Sequence, residues 1–252
     1  MLSKSQINLL KSLQHKKERK ENGLFLVEGY KSVVEFINST YQIEAVYYNA
    51  SFDPKVLNLS QEIKLYEVSV TDIQKFSSLK TPQTVAALVK IPVFVMPHNT
   101  QLKQRFTIVL DGVQDPGNLG TIIRTADWFN ISQIICSDDT VDAFNPKVVQ
   151  ASMGSLSRIS VCYTDITTLL ASVSLPIFGA LLNGDNIYNT QFGTEGLIVL
   201  GNEGNGLRPE VEKLITKAVT IPHAGEAESL NVAVATALFC SEISRNKLTT
   251  NK

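Results

Sequence analysis

Short apolar runs alternate with stretches of helical periodicity along most of the chain. In the first 95 residues, four of these runs have the length and the polar flanks of β-strands. They are FLVEG at 25–29, IEAVYY at 43–48, KLYEVS at 64–69 and TVAALVKI at 84–91. Because the strands alternate with helical patterns, this part of the chain predicts a small α/β unit.

In the second half of the chain, the alternation of strand and helix patterns is clearer. Strands are predicted at residues 107–112, 133–137, 159–163, 177–182, 196–201 and 218–222. Helical patterns lie between them at 119–129, 146–156 and 208–216, and a last helix is expected from about Leu230 to Arg245. Several strands are apolar on both faces, which is typical of a parallel sheet covered by helices.

The segment PVFVMPHNTQLKQR at 92–105 separates the two halves. Its two prolines and its polar run are typical of a linker. The predicted division is therefore an N-terminal domain at 1–95, a linker at 96–105 and a C-terminal domain at 106–252.

Composition narrows the possible functions. The 252 residues carry a net charge of −1, which excludes a globally basic nucleic-acid binder but allows a local basic patch. Scattered cysteines and isolated histidines predict neither a disulfide framework nor a metal site, and they fit a reducing cytoplasm. No stretch approaches ~20 apolar residues, so no membrane span is expected, and the first residues, MLSKSQINLLKSLQHKK, lack the uninterrupted apolar region of a secretory leader.

Residues 5–20 predict one helix with two contrasting faces. The apolar face carries Ile7, Leu10 and Leu13. The other face is basic and includes Lys16, Lys17, Arg19 and Lys20. Such a face is expected to contact RNA phosphates, in which case RNA affinity falls steeply with salt. A solvated helix face accounts for the same charges equally well.

Glycines and polar residues concentrate after three predicted strands. The loops are DPGNLGTIIR at 115–124, GNEGNGLRPE at 201–210 and HAGEAESLNVAVATAL at 223–238. Ligands bind beyond the carboxyl ends of parallel strands, so the three loops are expected to meet at one site. The first loop imitates a phosphate-binding loop, but Asn118 and Leu119 stand where that loop needs lysine and a hydroxyl. A G-x-G-x-x-G fingerprint is also absent, which disfavours a kinase or a nucleotide-dependent oxidoreductase.

Each loop also has a purely structural explanation. DPGN makes a tight turn and a helix N-cap, GNEGNG can be a plain connection with Glu203 solvated, and Ser229 is more typical of a cap than of a catalyst. Arg124 can be an exposed helix residue. Asn231 is harder to explain, since it lies just inside a predicted buried helix, where a side-chain amide requires partners.

Together, the loops resemble the three motifs of the SpoU (TrmH-type) RNA ribose 2′-O-methyltransferases of the SPOUT superfamily. The first resembles D-P-x-N-x-G-x-x-x-R-T-A at 115–126, the second G-x-E-x-x-G-L at 201–207 and the third I-P…S-L-N-V-x-x-A at 221–235. The stretch LKSLQHKKERKENGLFLVEG at 10–29 resembles the accessory domain of this family. The resemblance therefore implies an RNA substrate-binding domain at 1–95 and a methyltransferase domain at 106–252.

The resemblance also implies a trefoil knot in the C-terminal half, which periodicity alone cannot reveal. It implies a homodimer whose substrate is RNA, and the two-domain layout favours ribosomal RNA over the alternative, transfer RNA. S-adenosylmethionine is the implied cofactor, held mostly by backbone groups. The implied cofactor-binding residues are Leu181, Gly201, Ile221, Leu230 and Val232.

Methyl transfer to a ribose 2′-hydroxyl requires that the hydroxyl lose its proton and face the methyl carbon, and it requires no metal. The resemblance assigns Arg124 to the hydroxyl or its adjacent phosphate. It assigns Asn118, Ser229 and Asn231 to geometry, and Glu203 to orienting Arg124 or nearby backbone. Because arginine is a poor proton acceptor, we expect its guanidinium to stabilise negative charge while phosphate or water takes the proton.

The alternative function is a non-catalytic RNA-binding or ribosome-assembly protein that retains the fold. A non-catalytic relative would have no need to keep all five side chains to which the resemblance assigns a catalytic role, so their presence argues against this alternative. The five are Asn118, Arg124, Glu203, Ser229 and Asn231.

Overall fold

The computed structural model of the protein describes residues 2–93 and 99–249. These residues form two compact units, one of residues 2–93 with Asp142–Arg158 and the other of the remaining described residues. The helices are α1 (Lys4–Ser12), α2 (Lys16–Asn22), α3 (Tyr30–Ile37), α4 (Val70–Phe76), α5 (Pro116–Trp128), α6 (Pro146–Ser152), α7 (Ile166–Ser172), α8 (Pro209–Glu212) and α9 (Val232–Thr249). The strands are β1 (Leu24–Glu28), β2 (Ile43–Tyr48), β3 (Lys64–Glu67), β4 (Val85–Lys90), β5 (Phe106–Leu110), β6 (Gln133–Cys136), β7 (Ser160–Tyr163), β8 (Ile177–Asn186), β9 (Gly196–Leu200) and β10 (Lys217–Thr220).

The first unit contains a mixed four-stranded sheet of order β1-β4-β2-β3. Strand β4 is antiparallel to β1 and β2, and β3 is parallel to β2 at the edge. One face of the sheet contributes Leu26 and Leu88 to a core shared with α1 and α4. Phe25 alternates to the opposite face, where its ring packs against Phe36 and Phe144.

The helix predicted over residues 5–20 is wrong in one respect, because the structure divides it into α1 and α2. The Leu13 carbonyl accepts from Arg19 Nη1 at 2.8 Å, and Gln14 Nε2 donates to the carbonyls of Phe76 and Ser77 at 3.2 and 3.3 Å. These side chains hold a turn between the two helices. Tertiary contacts have therefore overridden a continuous helical pattern.

The segment Asp142–Arg158 belongs to the first unit although it follows β6 in sequence. Asp142 Oδ2 accepts from Arg19 Nε at 3.0 Å and Nη2 at 2.5 Å, and Arg158 pairs with Glu35. The predicted division at 1–95, 96–105 and 106–252 does not assign Asp142–Arg158 to the first unit. The division itself stays a prediction. Residues 96–98 of the predicted linker lie outside the described residues.

The second unit contains a six-stranded sheet of order β10-β8-β9-β5-β6-β7, in which every pairing is parallel. Strands β5 and β9 lie in the interior of the sheet and are fully buried. The predicted fold class, an α/β unit followed by a parallel-sheet domain, is confirmed. The knot stays a prediction.

Each strand predicted from the sequence is present, while several element ends differ. Strand β8 continues to Asn186, and α8 is shorter than the predicted helix at 208–216. Helix α6 ends at Ser152, because Met153 and Gly154 adopt left-handed backbone conformations with φ of 49° and 93°. In a parallel sheet all strands end at one edge, so the loops after β5, β9 and β10 emerge at the same edge.

Candidate active site

The loop after β9 closes on itself. Asn202 and Gly206 exchange backbone hydrogen bonds of 2.9 and 3.0 Å, and Asn202 Oδ1 accepts from the amides of Gly204 and Asn205 at 2.9 and 3.2 Å. The crossing is so tight that a Cβ on Gly201 would lie 2.2 Å from the carbonyl carbon of Gly206. Only glycine fits at position 201 without opening the loop.

The loop after β5 anchors this closed loop at both ends. Asn202 Nδ2 donates to the Gly112 carbonyl at 2.7 Å. Asp111, which is 1% exposed, accepts from the Arg208 backbone amide at 2.8 Å and from its Nε at 2.6 Å. The buried carboxylate is thus paired and hydrogen-bonded, as a buried charge must be.

Sequence reasoning missed Asp111 and Asn202. The signal for Asp111 is a charged residue directly after the fully apolar run FTIVL, where burial requires a partner. Asn202 occupies a variable position of the second motif and gave no signal.

The start of α5 carries the first motif. Asp115 is the N-cap and accepts from the Asn118 backbone amide at 2.8 Å, while Pro116 fills the first helical position, where its missing N–H costs nothing. This cap fixes the first turn. It directs the Asn118 side chain toward the loops after β9 and β10.

A chain of side-chain hydrogen bonds connects the three motifs. Asn118 Nδ2 donates to Glu203 Oε1 at 2.9 Å, and Asn118 Oδ1 accepts from Asn231 Nδ2 at 2.9 Å. The structure therefore brings together three of the residues singled out in the sequence, one from each loop. The expectation that the three loops meet at one site is met by these contacts.

Asn231 plays a different structural part from the one expected. It lies outside the helix and is exposed, and its Oδ1 accepts from the amides of Ala233 and Val234 at 2.9 and 3.3 Å. Asn231 is therefore the N-cap of α9, and the expectation of a buried helical amide was wrong. Ser229, which the sequence pattern favours as a cap, lies exposed in the loop two residues earlier, and Asn231 takes the capping position.

Arg124 lies on α5, the same helix as Asn118, at an exposed position. A side chain that must contact an RNA ribose or phosphate has to be accessible from solvent. The position of Arg124 meets this requirement.

Three of the residues expected to hold the cofactor, Leu181, Gly201 and Ile221, lie in or directly after three adjacent strands, β8, β9 and β10. Gly179 pairs with Val199 as the last pair between β8 and β9, and Leu181 and Gly201 each follow two residues later in their own segment. Ile221 directly follows β10 and is half-buried. Ala218 of β10 pairs with Gly179 of β8, and Val219 pairs with Asp185. Residues 180–184 therefore have no register partner in β10 and form a bulge in β8.

Leu230 and Val232 flank the cap of α9. Leu230 is 50% exposed, whereas Val232 is buried, so the side chain of Leu230 is the more accessible of the two to a ligand. Leu182 in the bulge is also exposed. Exposed leucines suit an adenosine, which has apolar faces. The residues expected to hold the cofactor are apolar residues and a glycine, without a lysine for phosphate, and they fit S-adenosylmethionine better than a nucleoside triphosphate.

The predicted RNA-contacting set needs one correction. Lys16, Lys17 and Lys20 are exposed, but Arg19 is 2% exposed and its guanidinium is engaged by Asp142 and the Leu13 carbonyl. Arg19 therefore stabilises the first unit and does not present its charge to RNA.

The three cysteines are free thiols and are buried. Burial raises the pKa of Cys240 to about 12 and also raises the pKa values of Cys136 and Cys162. Among the described residues, no group of three or more His, Cys, Asp or Glu side chains is placed to hold a metal ion. Within the same part of the chain, no helix has the length and apolarity needed to cross a membrane.

Comparison with known proteins extends these observations. The family model described as SpoU rRNA Methylase family matches residues 105–241, and the MRM3-like substrate binding domain matches residues 4–87. The chain is 33% identical over 234 residues to the 23S rRNA (guanosine(2553)-2′-O)-methyltransferase RlmP of Bacillus subtilis, with 91% of this chain and 92% of that protein covered.

Two solved structures are similar over nearly the whole chain. A TrmH-family protein from Porphyromonas gingivalis is 38% identical, with a TM-score of 0.88 over 98% of this chain and 99% of that one. An AdoMet-bound rRNA methyltransferase from Sinorhizobium meliloti is 28% identical, with a TM-score of 0.87 over 98% of this chain and 96% of that one.

Proposed function

Because the chain belongs to the SpoU rRNA methylase family, we propose that it transfers the methyl group of S-adenosylmethionine to the ribose 2′-hydroxyl of a guanosine in 23S rRNA. The observation that carries this proposal is the hydrogen-bonded chain Glu203–Asn118–Asn231, which unites the three motifs at one edge of the parallel sheet. Ribosomal RNA and guanosine are supported by the Bacillus subtilis relative, which matches over almost its full length.

S-adenosylmethionine supplies a methyl carbon activated by the adjacent sulfonium. The protein then has to hold the ribose oxygen in line with that carbon and to stabilise charge as the hydroxyl loses its proton. Asn118 is suited to positioning because both ends of its amide are fixed, the nitrogen by Glu203 and the oxygen by Asn231. Gly201, Asn202 and Asp111 hold the backbone of the second motif in the closed form that such a site needs.

Arg124 is the residue proposed to meet the 2′-hydroxyl or its neighbouring phosphate. Because arginine is a poor proton acceptor, the guanidinium serves as a charge and a hydrogen-bond donor while phosphate or water accepts the proton. Ser229 is proposed to contribute a further hydrogen bond from the loop before α9.

A homodimer is part of the proposal. Helices α5 and α9 pack together, and each carries an exposed apolar side chain, Trp128 at 84% and Val234 at 49%. Covering these side chains with a second copy would remove apolar surface from water. The trefoil knot and a cytoplasmic location are likewise proposed.

Transfer of labelled methyl from S-adenosylmethionine to unmodified ribosomal and transfer RNA tests the function. We expect label in ribosomal RNA, and a loss of about 100-fold or more in Arg124→Ala and in Arg124→Lys, because lysine lacks the planar donor fork. Arg105→Ala, at another exposed arginine of the second unit, is the control and should remain active.

Near-normal turnover by Arg124→Lys would refute a special role for the guanidinium. If the wild-type protein binds ribosomal RNA but neither binds the cofactor nor transfers label, the non-catalytic RNA-binding function replaces the proposal.

A further inference from the structure

An open cleft lies where strands β2 and β3 end in the first unit. Its volume is about 410 Å³, and its lining includes Tyr48, Phe52, Asp53 and Glu67. Tyr48 and Glu67 are partners in the β2–β3 register, so an aromatic ring and a carboxylate stand side by side on one face of the sheet. The cleft is large enough for a planar organic group.

The loop that forms one wall of the cleft is internally ordered. Asn49 is buried, and its backbone amide donates to the Thr84 carbonyl at 3.0 Å. Asn49 Oδ1 accepts from the Ser51 amide at 3.0 Å, and the Asn49 carbonyl accepts from the Phe52 amide at 3.0 Å. Phe52 is therefore presented by a preformed turn, which lowers the entropy lost when a ligand binds.

The rings of Tyr48 and Phe52 line this cleft, and the ring of Tyr30 packs against Phe52. The centroids of the Phe52 and Tyr30 rings are 5.9 Å apart, Tyr30 is 46% exposed, and Phe52 and Tyr48 are half-buried. Such rings stack on unpaired nucleobases, which present a π-face whatever their sequence.

The charges at the cleft restrict the ligand further. Asp53 Oδ1 accepts from the Lys55 amide at 3.0 Å, which leaves Oδ2 of Asp53 and the exposed Glu67 carboxylate to repel phosphate and to accept from the amino group of a base. Lys31 and Lys55 are exposed and directly follow Tyr30 and Pro54 in sequence, so two cationic residues are neighbours of the cleft along the chain. This combination fits a nucleotide whose base enters the cleft while its backbone stays outside.

We propose that this cleft binds one unpaired base of the RNA substrate and that it selects adenine, cytosine or guanine over uracil. The selection follows from the carboxylates, since uracil flanks its single ring donor with two carbonyl oxygens that a carboxylate repels. This inference rests on the proposed function, because it assumes that the substrate is RNA.

Fluorescence anisotropy with short single-stranded oligo(A), oligo(C) and oligo(U) tests the cleft in the full-length protein. We expect oligo(A) and oligo(C) to bind more tightly than oligo(U), and Phe52→Ala to weaken both by about tenfold. Phe52→Leu keeps an apolar side chain without a π-face and should weaken binding in the same direction. Glu67→Gln should reduce the preference over oligo(U).

Val56→Ala is the matched control, because Val56 is 52% exposed in the neighbouring turn Pro54–Leu57 and does not line the cleft. Wild-type affinity in Phe52→Ala, or equal wild-type affinity for all three oligonucleotides, overturns the inference. Methyl transfer to ribosomal RNA is measured on the same wild-type preparation. If the wild-type protein transfers methyl groups and Phe52→Ala binds oligonucleotides at wild-type affinity, only the inference about the cleft is overturned. If the wild-type protein transfers no methyl groups, the proposed function is overturned. The oligonucleotide affinities then decide separately whether the cleft binds a base.

Discussion

The Asn118 side chain donates to Glu203 at 2.9 Å, which joins the first turn of α5 to the closed loop after β9. The Asn118 amide oxygen accepts from Asn231, so its orientation is fixed from both sides. An asparagine is well matched to this position, because one end of its amide must donate and the other must accept. Any isosteric replacement that changes either end disturbs the connection between the motifs.

Asn118→Asp should therefore lower methyl-transfer turnover by about 10- to 100-fold. The new carboxylate keeps an acceptor for Asn231 but faces Glu203 without a donor, and the two negative charges repel each other. Steady-state kinetics with ribosomal RNA would measure the effect. Asn205→Asp adds the same charge on the exposed closed loop and should retain most of the activity. Equal losses in both variants would mean that added charge, and not the broken hydrogen bond, is responsible.

Most of the fold could be predicted because its signals are local. The run IEAVYY coincides with β2, and the apolar strands of the second half form the parallel sheet that their composition indicates. The three polar loops also meet as expected, since the ends of parallel strands converge at one edge of a sheet.

The features that could not be predicted depend on contacts between residues distant in sequence. Arg19 resembles the lysines around it, and only its pairing with Asp142 shows that it is buried. The division between α1 and α2 depends on Gln14 reaching the end of α4. Asn202 is a variable position in its motif. Its side chain donates to the Gly112 carbonyl and accepts from the Gly204 amide, and only the three-dimensional structure shows these two contacts.

Gly201→Ala should weaken S-adenosylmethionine binding by at least about tenfold. Its Cβ would lie 2.2 Å from a backbone carbon of Gly206, so the backbone of the closed loop has to separate. Calorimetric titration of the cofactor would measure the loss. Gly204→Ala is a matched control in the same loop, since its Cβ would meet Asn202 Oδ1 at an ordinary 3.6 Å. Cofactor binding by Gly201→Ala at wild-type strength would show that this loop does not shape the cofactor site.

Arg19→Ala should lower the free energy of unfolding of the first unit by about 3 kcal/mol, because it leaves the Asp142 carboxylate without its partner. Hydrogen exchange of the β1 and β4 amides would report this loss. Lys17→Ala removes an exposed charge and should leave that protection unchanged. Because Lys17 is expected to contact an RNA phosphate, Lys17→Ala should instead reduce the slope of log affinity against log salt concentration by about 0.7 to 0.9. A normal exchange pattern in Arg19→Ala would contradict the structural role assigned to the ion pair.

The stability of the first unit should decline at alkaline pH because of Tyr47. Burial, and secondarily the neighbouring Tyr66, raises the pKa of Tyr47 from 10.0 to about 12. The unfolded state loses the proton near pH 10 while the folded state retains it to about pH 12. The stabilisation is therefore complete below pH 10 and is lost as pH rises through this window.

Comparison of wild type with Tyr47→Phe isolates this contribution. Across pH 10 to 12, wild type should lose roughly 2 to 3 kcal/mol more of its free energy of unfolding than the variant does, since each pKa unit corresponds to about 1.4 kcal/mol. Denaturant unfolding followed by hydrogen exchange of β2 would measure the difference. Tyr66→Phe is the control. The Tyr66 ring stacks on Tyr47 with a centroid distance of 5.3 Å, and this variant removes only the Tyr66 hydroxyl, so Tyr47 stays buried. Most of the alkaline loss should therefore persist in Tyr66→Phe. Parallel curves for wild type and Tyr47→Phe would show that the buried hydroxyl does not control stability at high pH.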